Sequence, residues 1–265
     1  MESKVDVERQ AHVLLMGLNR PRKLNAFDVD MFIELAEALG ELNRDPDLRC
    51  GLIYANGKHF TSGLDLAQWS PLLDKGEFPP PLPKGACDPY GLFGNPETDR
   101  VQKPTVIAVQ GICFTIGVEL LLAMDIRVAA ENTRFAMLEI KRGIYPVGGV
   151  TIRMHQEIGW GNTMRYILTG EEMDAAEAHR LGLVQEVTAV GAQFDRALEI
   201  AEIVAKQAPL GVQASLLSAR RVQTHGERAA VDKLVPDLRE IMKSDDAAEG
   251  VRSFIERRDA VFKGR

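Results

Sequence analysis

Short apolar runs and segments of helical spacing alternate along the first half of the chain. The apolar runs predict buried strands at residues 12–16, 48–55, 104–110 and 126–129. Phe32, Leu35, Ala36 and Leu39 recur at helical spacing and predict a helix over 28–42, which ends before Asp45-Pro46. A further helix is predicted from about residue 115 to 124. This part of the chain is therefore expected to be α/β.

Helical patterns alone follow residue 147. Helices are predicted at residues 174–182, with Gly182 closing the first, and at 192–206, 210–222, 227–243 and 247–262. Strands with interleaved helices, followed by helices alone, predict an α/β core over 1–195 and a helical C-terminal region over 196–265.

The segment over residues 71–100 is irregular and rich in proline, with Pro-Pro-Pro-Leu-Pro at 79–83. A loop of this length inside a compact domain is usually a functional flap or a mobile excursion. We therefore expect an irregular flap at 71–100 within the core region.

Composition narrows the class of protein. The 265 residues carry 32 Lys+Arg and 38 Asp+Glu, a formal net charge of −6, which argues against nucleic acid as a partner. No apolar run approaches the roughly 20 residues that span a bilayer, and no secretory signal is recognisable, so no membrane association is expected. Three cysteines without CxxC spacing suit reduced thiols and a cytoplasmic location.

Common catalytic motifs are missing. The sequence has no Gly-rich nucleotide loop and no HExxH, and its five histidines are scattered, so no metal site or cofactor is suggested. Ser62 lies in Thr-Ser-Gly rather than in the G-x-S-x-G of a hydrolase. Carboxylates and backbone groups remain as the candidate chemistry.

Two segments carry a resemblance to a known family: Asn-Gly-Lys-His-Phe-Thr-Ser-Gly-Leu-Asp-Leu-Ala-Gln at 56–68 and Lys-Pro-Thr-Val-Ile-Ala-Val-Gln-Gly-Ile-Cys-Phe-Thr-Ile-Gly-Val-Glu-Leu-Leu-Leu-Ala-Met-Asp at 103–125. With 135–140, 143–149, 168–170 and 178–184, they resemble the crotonase superfamily, the enoyl-CoA hydratase/isomerase family. The resemblance covers nearly the whole chain. It implies an α/β spiral of ββα units followed by a helical region that mediates trimerisation.

The resemblance implies binding of an acyl-coenzyme A thioester and stabilisation of its enolate by two backbone N–H groups. By alignment these donors are Leu64 and Ile116. The family's usual Gly-Gly-Gly is Thr115-Ile116-Gly117 here. A backbone N–H survives this change, but the Ile116 side chain is expected to narrow the pocket near the acyl carbon.

Two acids match the family's catalytic glutamates, Glu119 and Glu139. Hydration of an enoyl thioester needs a base for the water and a proton for the α-carbon, so two carboxyl groups suit it. The family's isomerases typically use one carboxylate, and its dienoyl isomerases use an acid where this chain has Val147. Both comparisons favour a hydratase that converts a trans-2-enoyl-CoA to a 3-hydroxyacyl-CoA.

The resemblance also assigns eight residues to the coenzyme A thioester: Arg22, Lys23, Leu24, Ser62, Asp65, Leu66, and, for a neighbouring subunit's ligand, Phe262 and Lys263. It implies a homotrimer or a dimer of trimers, no metal and no further cofactor.

Plainer interpretations stay open for most of these residues. Glu119 alone is an acid in the first turn of a helix, although its surroundings are apolar, and Glu139 is a potential ion-pair partner of Lys141 or Arg142. Asp65 is expected to cap a helix or to accept a structural hydrogen bond. Four aromatic residues in or next to the irregular segment are expected to cover the core, while their place at the flap leaves contact with an acyl chain open: Trp69, Phe78, Tyr90 and Phe93.

Other functions also stay open. An enoyl-CoA isomerase or another acyl-CoA lyase of the same fold is the alternative among enzymes. A non-catalytic acyl-CoA- or RNA-binding relative is the alternative of another class, against which the two acids and the negative charge argue.

Overall fold

The computed structural model describes residues 3–265. Its strands are β1 (Val5–Gln10), β2 (Val13–Leu18), β3 (Cys50–Ala55), β4 (Thr105–Val109), β5 (Ile112–Phe114), β6 (Ile126–Ala130), β7 (Arg134–Ala136), β8 (Met173–Asp174) and β9 (Glu186–Thr188). Its helices are α1 (Val29–Arg44), α2 (Leu66–Asp74), α3 (Ile116–Ala123), α4 (Val150–Ile158), α5 (Trp160–Thr169), α6 (Ala175–Leu181), α7 (Gln193–Lys206), α8 (Pro209–His225), α9 (Glu227–Ile241) and α10 (Asp245–Glu256).

The strands form two sheets that the chain visits in turn. The larger sheet has the order β1-β2-β3-β4-β6-β9 and is parallel except for β1, and the smaller has the order β5-β7-β8. The successive units β4-β5-α3 and β6-β7-α4 each place one strand in either sheet. A bridge between Thr61 and Cys113 continues the smaller sheet toward α2. The result is the predicted α/β spiral of ββα units.

Both faces of the larger sheet are covered. Alternate residues of β2 face opposite sides: Leu14 and Met16 belong to the main core with α1 and α3, while Val13 and Leu15 pack toward α7. This explains why the apolar runs of the parallel strands are continuous. The small side chains of α7 let this helix lie close to the sheet, namely Ala197, Ala201 and Ala205.

The predicted strands and helices are largely present, but five strands were not predicted: β1, β5, β7, β8 and β9. The helices α2, α4 and α5 were not predicted either, and β8 and β9 contradict the expectation of helices alone after residue 147. β1 alternates charged and apolar residues and pairs antiparallel with β2 at the sheet edge, where most of its side chains are exposed. A polar edge strand has no apolar run to reveal it. The predicted boundary between residues 195 and 196 falls inside α7, which packs on the sheet.

The 71–100 segment is not an excursion from the core. Its first residues complete α2, and although the remainder has neither helix nor strand, Ala86–Tyr90 is buried. Trp69 and Tyr90 are among the largest fully buried side chains, which confirms that they cover the core.

The last helix ends earlier than predicted, at Glu256 rather than near residue 262. Arg257 takes a left-handed conformation that closes α10, and the chain then turns back. The N–H groups of Lys263 and Gly264 donate to the buried Asp246 carboxylate at the start of the same helix. This carboxylate therefore holds the tail in a folded-back position. Within residues 3–265, no helix is both long enough and apolar enough to cross a membrane.

Candidate active site

A backbone N–H without an acceptor lies in the segment between β3 and α2. The N–H groups of Thr61, Ser62, Gly63 and Asp65 all donate, to Ile112 O, Leu24 O, Thr61 Oγ1 and Phe27 O respectively. Within the described chain, the Leu64 N–H between them has no hydrogen-bond acceptor. A single free donor in an otherwise fully bonded stretch is available to a ligand.

A second set of free donors lies at the start of α3. The N–H groups of Ile116 and Gly117 donate to no described residue, as is usual for the first turn of a helix. Thr115 before them has φ 50° and ψ −111°, a conformation that side chains rarely adopt. It allows the Thr115 N–H to donate to Ala136 O while α3 begins in a new direction.

The fold brings these two stretches together. Thr61 and Cys113 are bridged, and the Phe114 N–H donates to Thr61 O at 3.1 Å. Gly63 has φ +116°, and a Cβ there would lie 2.6 Å from Thr115 Oγ1. Glycine is therefore required at this position, both for the backbone conformation and for the close approach of the two segments.

Glu119 lies one turn along α3 from Ile116. It is 4% exposed, and its Oε1 accepts the Gly148 N–H at 2.6 Å. Burial and the negative charge of Glu139 raise the pKa of Glu119 to about 8, against the opposing effects of the Gly148 and Val150 N–H groups and of Arg153. Such a perturbed buried acid is typical of a functional site.

Glu139 begins a short 3-10 turn after β7. Its Oε2 is buried and has no hydrogen-bond partner among the described residues. No ion pair with Lys141 or Arg142 is present in this part of the chain, so the plainer interpretation of Glu139 is wrong. Burial raises its pKa to about 7. We call Glu119 and Glu139 the carboxylate pair.

Three residues around the carboxylate pair were not predicted. Gly148 donates to Glu119, Tyr90 lies against Gly148, and Arg153 of α4 donates to Tyr90 O at 2.6 Å. Gly148 belongs to a segment that carried the resemblance. Tyr90 lies in the irregular segment, where no periodicity indicates which side chains turn inward.

The predicted coenzyme A residues Arg22, Lys23 and Leu24 are exposed on a turn beside Ser62. The buried Asn25 holds this turn: its Nδ2 donates to Asn56 O and His59 O, and its Oδ1 accepts the Arg20 N–H. We call residues 20–25 the anchored turn. Lys58 is an exposed cation that the sequence analysis did not single out. It lies close to the anchored turn, because a Cβ added to the preceding Gly57 would be only 2.9 Å from Pro21.

Asp65 and Leu66 flank the start of α2. Asp65 occupies the N-cap position, but its carboxylate caps no N–H group, so the predicted side-chain cap is wrong. The carboxylate instead accepts from Arg20 Nη2 at 3.5 Å, which confirms the structural acceptor. Ser62 is half-buried and Leu66 is exposed.

Phe262 and Lys263 lie away from these groups. Arg49, which precedes β3, donates to Phe262 O at 2.8 Å, whereas Leu64 follows the opposite end of the same strand. Within one chain, the fold therefore does not bring these two residues to the site. Their contact with a neighbouring subunit's ligand stays a prediction.

Among residues 3–265, no three His, Cys, Asp or Glu side chains are grouped to hold a metal ion. Burial raises the pKa of the Cys113 thiol, which keeps that thiol protonated and unreactive. The chemistry available at the site consists of the free N–H groups of Leu64, Ile116 and Gly117 and of the carboxylate pair.

A spiral of ββα units with these groups at the starts of its helices defines the crotonase fold. The chain belongs to the enoyl-CoA hydratase/isomerase family, whose model matches residues 8–265.

Relatives match over the whole length of the chain. The crystal structure of a probable enoyl-CoA hydratase/isomerase from Mycobacterium abscessus superposes with a TM-score of 0.94 at 46% identity, over 99% of both chains. The enoyl-CoA hydratase EchA19 of Mycobacterium tuberculosis is 33% identical over 98% of this chain and 96% of its own length. The carnitinyl-CoA dehydratase of Citrobacter koseri is 34% identical, with both chains fully covered.

Proposed function

We propose that the protein is an enoyl-CoA hydratase that adds water to a trans-2-enoyl-CoA and forms a 3-hydroxyacyl-CoA. The observation that carries the proposal is the buried carboxylate pair, which lies beside two backbone N–H groups that have no acceptor among the described residues. The hydratase and dehydratase names of two relatives support the same reaction class.

The Leu64 and Ile116 N–H groups bind the thioester oxygen in this proposal. Addition of water to the double bond moves negative charge onto that oxygen, and two fixed donors stabilise the enolate as it forms. Loss of one such donor typically costs roughly 10²–10³ in rate. The donors need no rearrangement because Gly63 and Thr115 already hold the two segments in contact.

The carboxylate pair divides the proton transfers. Burial and Glu139 raise the pKa of Glu119 to about 8, so the base in this proposal is the ionised fraction of Glu119, which the Gly148 N–H stabilises and which removes a proton from the attacking water. Oε2 of Glu139 has no protein donor, which suits the protonated form, so Glu139 delivers its proton to the α-carbon. One proton enters the pair from water and one leaves to the substrate, and the pair ends with its net charge unchanged.

The anchored turn supplies the coenzyme A contact in this proposal. Arg22 and Lys23 are exposed and unpaired among residues 3–265, and Leu24 O receives the Ser62 N–H two residues before Leu64. Coenzyme A phosphates at these cations would therefore lie within reach of a thioester at the site. We propose no metal or further cofactor, a cytoplasmic location, and a homotrimer or a dimer of trimers.

A panel of trans-2-enoyl-CoA thioesters, followed by the loss of conjugated-enoyl absorbance, tests the proposal. We expect hydration of at least one thioester, with the 3-hydroxyacyl-CoA identified by mass. If the protein only shifts the double bond of the thioester, it is an enoyl-CoA isomerase and the hydratase proposal is wrong. If all thioesters bind without turnover, the protein is a non-catalytic relative.

A further inference from the structure

Tyr90 is a buried tyrosine that the proposed mechanism does not use. It is 0% exposed and packs against Phe32, Phe78 and Phe93, with ring centroids 5.4, 6.0 and 6.3 Å away. A phenol placed so deeply usually has a hydrogen-bond partner for its hydroxyl.

The backbone of Tyr90 is held on both sides. Its N–H donates to Asp88 Oδ1 at 3.1 Å, and its carbonyl accepts from Arg153 Nη1 at 2.6 Å. The other oxygen of the buried Asp88 carboxylate accepts the N–H groups of Leu92 and Phe93. Although this part of the chain has no regular secondary structure, the position of the Tyr90 ring is therefore well determined.

The edge of the Tyr90 ring that includes Cε1 lies close to Glu119. A Cβ on Gly148 would lie 2.3 Å from Tyr90 Cε1 and 2.4 Å from Glu119 Oε2. Cε1 is bonded to the carbon that bears the hydroxyl. The Tyr90 ring and the Glu119 carboxylate are therefore neighbours, and both pack against Gly148, which has no side chain.

The Tyr90 hydroxyl is surrounded by acidic groups, because Glu119, Asp88 and Glu139 all act on it. Burial, together with the negative charges of Glu119, Asp88 and Glu139, raises the pKa of Tyr90 well above its ordinary value. The phenol therefore stays protonated and is a hydrogen-bond donor beside the carboxylate pair.

We propose that the Tyr90 hydroxyl donates a hydrogen bond to the oxygen at C3 of the acyl group, the attacking water in one direction and the 3-hydroxyl in the other. This rests on the proposed function, because it takes the water to lie between Glu119 and Glu139. When both hydrogens of this water point at the carboxylates of Glu119 and Glu139, the two lone pairs of its oxygen remain available. One attacks C3, and the other accepts from Tyr90.

The proposal implies selectivity for acyl groups that carry an oxygen at C3. A site built to donate a hydrogen bond discriminates against a ligand that lacks the acceptor, because its buried donor is then left unpaired. Tyr90 is thereby a third side chain that touches the reacting atoms.

Binding of two unreactive thioesters to wild type and to Tyr90→Phe tests this directly. Acetoacetyl-CoA carries an oxygen on C3 and has no hydroxyl to eliminate, whereas butyryl-CoA lacks that oxygen. We expect Tyr90→Phe to lower the affinity for acetoacetyl-CoA about three- to tenfold, the usual contribution of one neutral hydrogen bond. The affinity for butyryl-CoA should stay unchanged.

Two control variants separate the hydroxyl from the ring. Tyr54→Phe removes a hydroxyl from β3, where Tyr54 packs on Phe194, and should change neither affinity. Phe93→Leu loosens the packing of the Tyr90 ring, keeps its hydroxyl, and should affect both ligands alike. Equal affinities in wild type and Tyr90→Phe, or an equal loss for both ligands, would overturn the proposal.

Kinetics distinguish this proposal from the proposed function. With crotonyl-CoA, Tyr90→Phe should lower kcat about tenfold with little change in KM, since one donor to the reacting oxygen is lost. A wild type that hydrates no enoyl-CoA refutes the hydratase, and the acetoacetyl-CoA result still decides the Tyr90 contact.

Discussion

At the scale of single residues, the site depends on two acids that share a proton. Burial raises the pKa of both, to about 8 for Glu119 and about 7 for Glu139, and the negative charge of Glu139 further opposes ionisation of Glu119. Between these values the pair retains one proton, which is the state that hydration requires. A base and an acid then lie side by side in one buried site.

The proton count predicts a bell-shaped pH dependence of kcat/KM. Below about pH 7 both carboxyls are protonated and no base remains, and above about pH 8 both are ionised and no acid remains. We expect the maximum between these limits, measured with crotonyl-CoA in buffers of constant ionic strength. A profile that is flat from pH 5 to 10 would contradict the shared proton.

Glu119 is also expected to reduce stability in alkaline solution. In the unfolded chain it ionises near its ordinary pKa of 4.5, whereas the folded protein retains the proton up to about pH 8. The folded state therefore binds more protons over this interval, and the free energy of unfolding falls as the pH rises through it. Glu119→Gln carries no ionisable group and escapes this loss.

Since one pKa unit corresponds to about 1.4 kcal/mol, the advantage of Glu119→Gln over wild type should grow by on the order of 2–4 kcal/mol between pH 5 and pH 9. Denaturant unfolding at the two pH values measures it. The exposed Glu97→Gln serves as the control and should show no such growth. If the difference in free energy of unfolding between Glu119→Gln and wild type is the same at both pH values, ionisation of Glu119 does not destabilise the folded protein.

At the scale of elements, the anchored turn links the site to the coenzyme A end of the substrate. Acyl-CoA binding should raise thermal stability, by about 2.7 kcal/mol at 100 times Kd, because the ligand binds only the folded state. Arg22→Glu with Lys23→Glu should weaken this effect, since repulsion replaces attraction at the phosphates. Thermal melting with butyryl-CoA measures the difference.

The matched control for the anchored turn reverses two exposed cations elsewhere, Lys75→Glu with Lys84→Glu. This variant should keep the full stabilisation by butyryl-CoA. If the two double variants respond equally, the anchored turn has no specific role in binding.

The elements with a long apolar signal were predictable, and the short ones were not. The buried parallel strands and α1 follow from continuous or periodic apolar residues, whereas β5 and β7 have only three residues each. The positions of Leu64, Ile116, Glu119 and Glu139 came from the resemblance. Tyr90 depends on tertiary contacts with Asp88 and Arg153, which no local pattern encodes.

At the scale of the whole molecule, α8–α10 leave a large apolar surface without a partner in the described chain. α9 buries only Ala230 and packs mainly on α8, and a groove of about 590 Å³ lies between these two helices. On α10, Phe254 is 84% exposed and Ile255 is 74% exposed. Surfaces of this kind mark interfaces between proteins.

We expect the protein to form homotrimers or dimers of trimers through this surface. Deletion from residue 245 onward, or Phe254→Asp with Ile255→Asp, should reduce the assembly, because charge cannot be buried without a partner. Light scattering measures the mass, and Val190→Asp, on an exposed residue before α7, is the control. A monodisperse monomer of the intact chain would rule the interface out.

The carboxylate pair is tested most directly by a double-mutant cycle on the hydration of crotonyl-CoA. Glu119→Gln and Glu139→Gln should each lower kcat by about 10²–10⁴-fold, the usual contribution of one acid or base, with butyryl-CoA affinity nearly unchanged. The double variant should lose much less than the product of the two, since both groups act on one water. Hydration by Glu119→Gln at nearly the wild-type rate, or losses that simply multiply, would contradict the shared site.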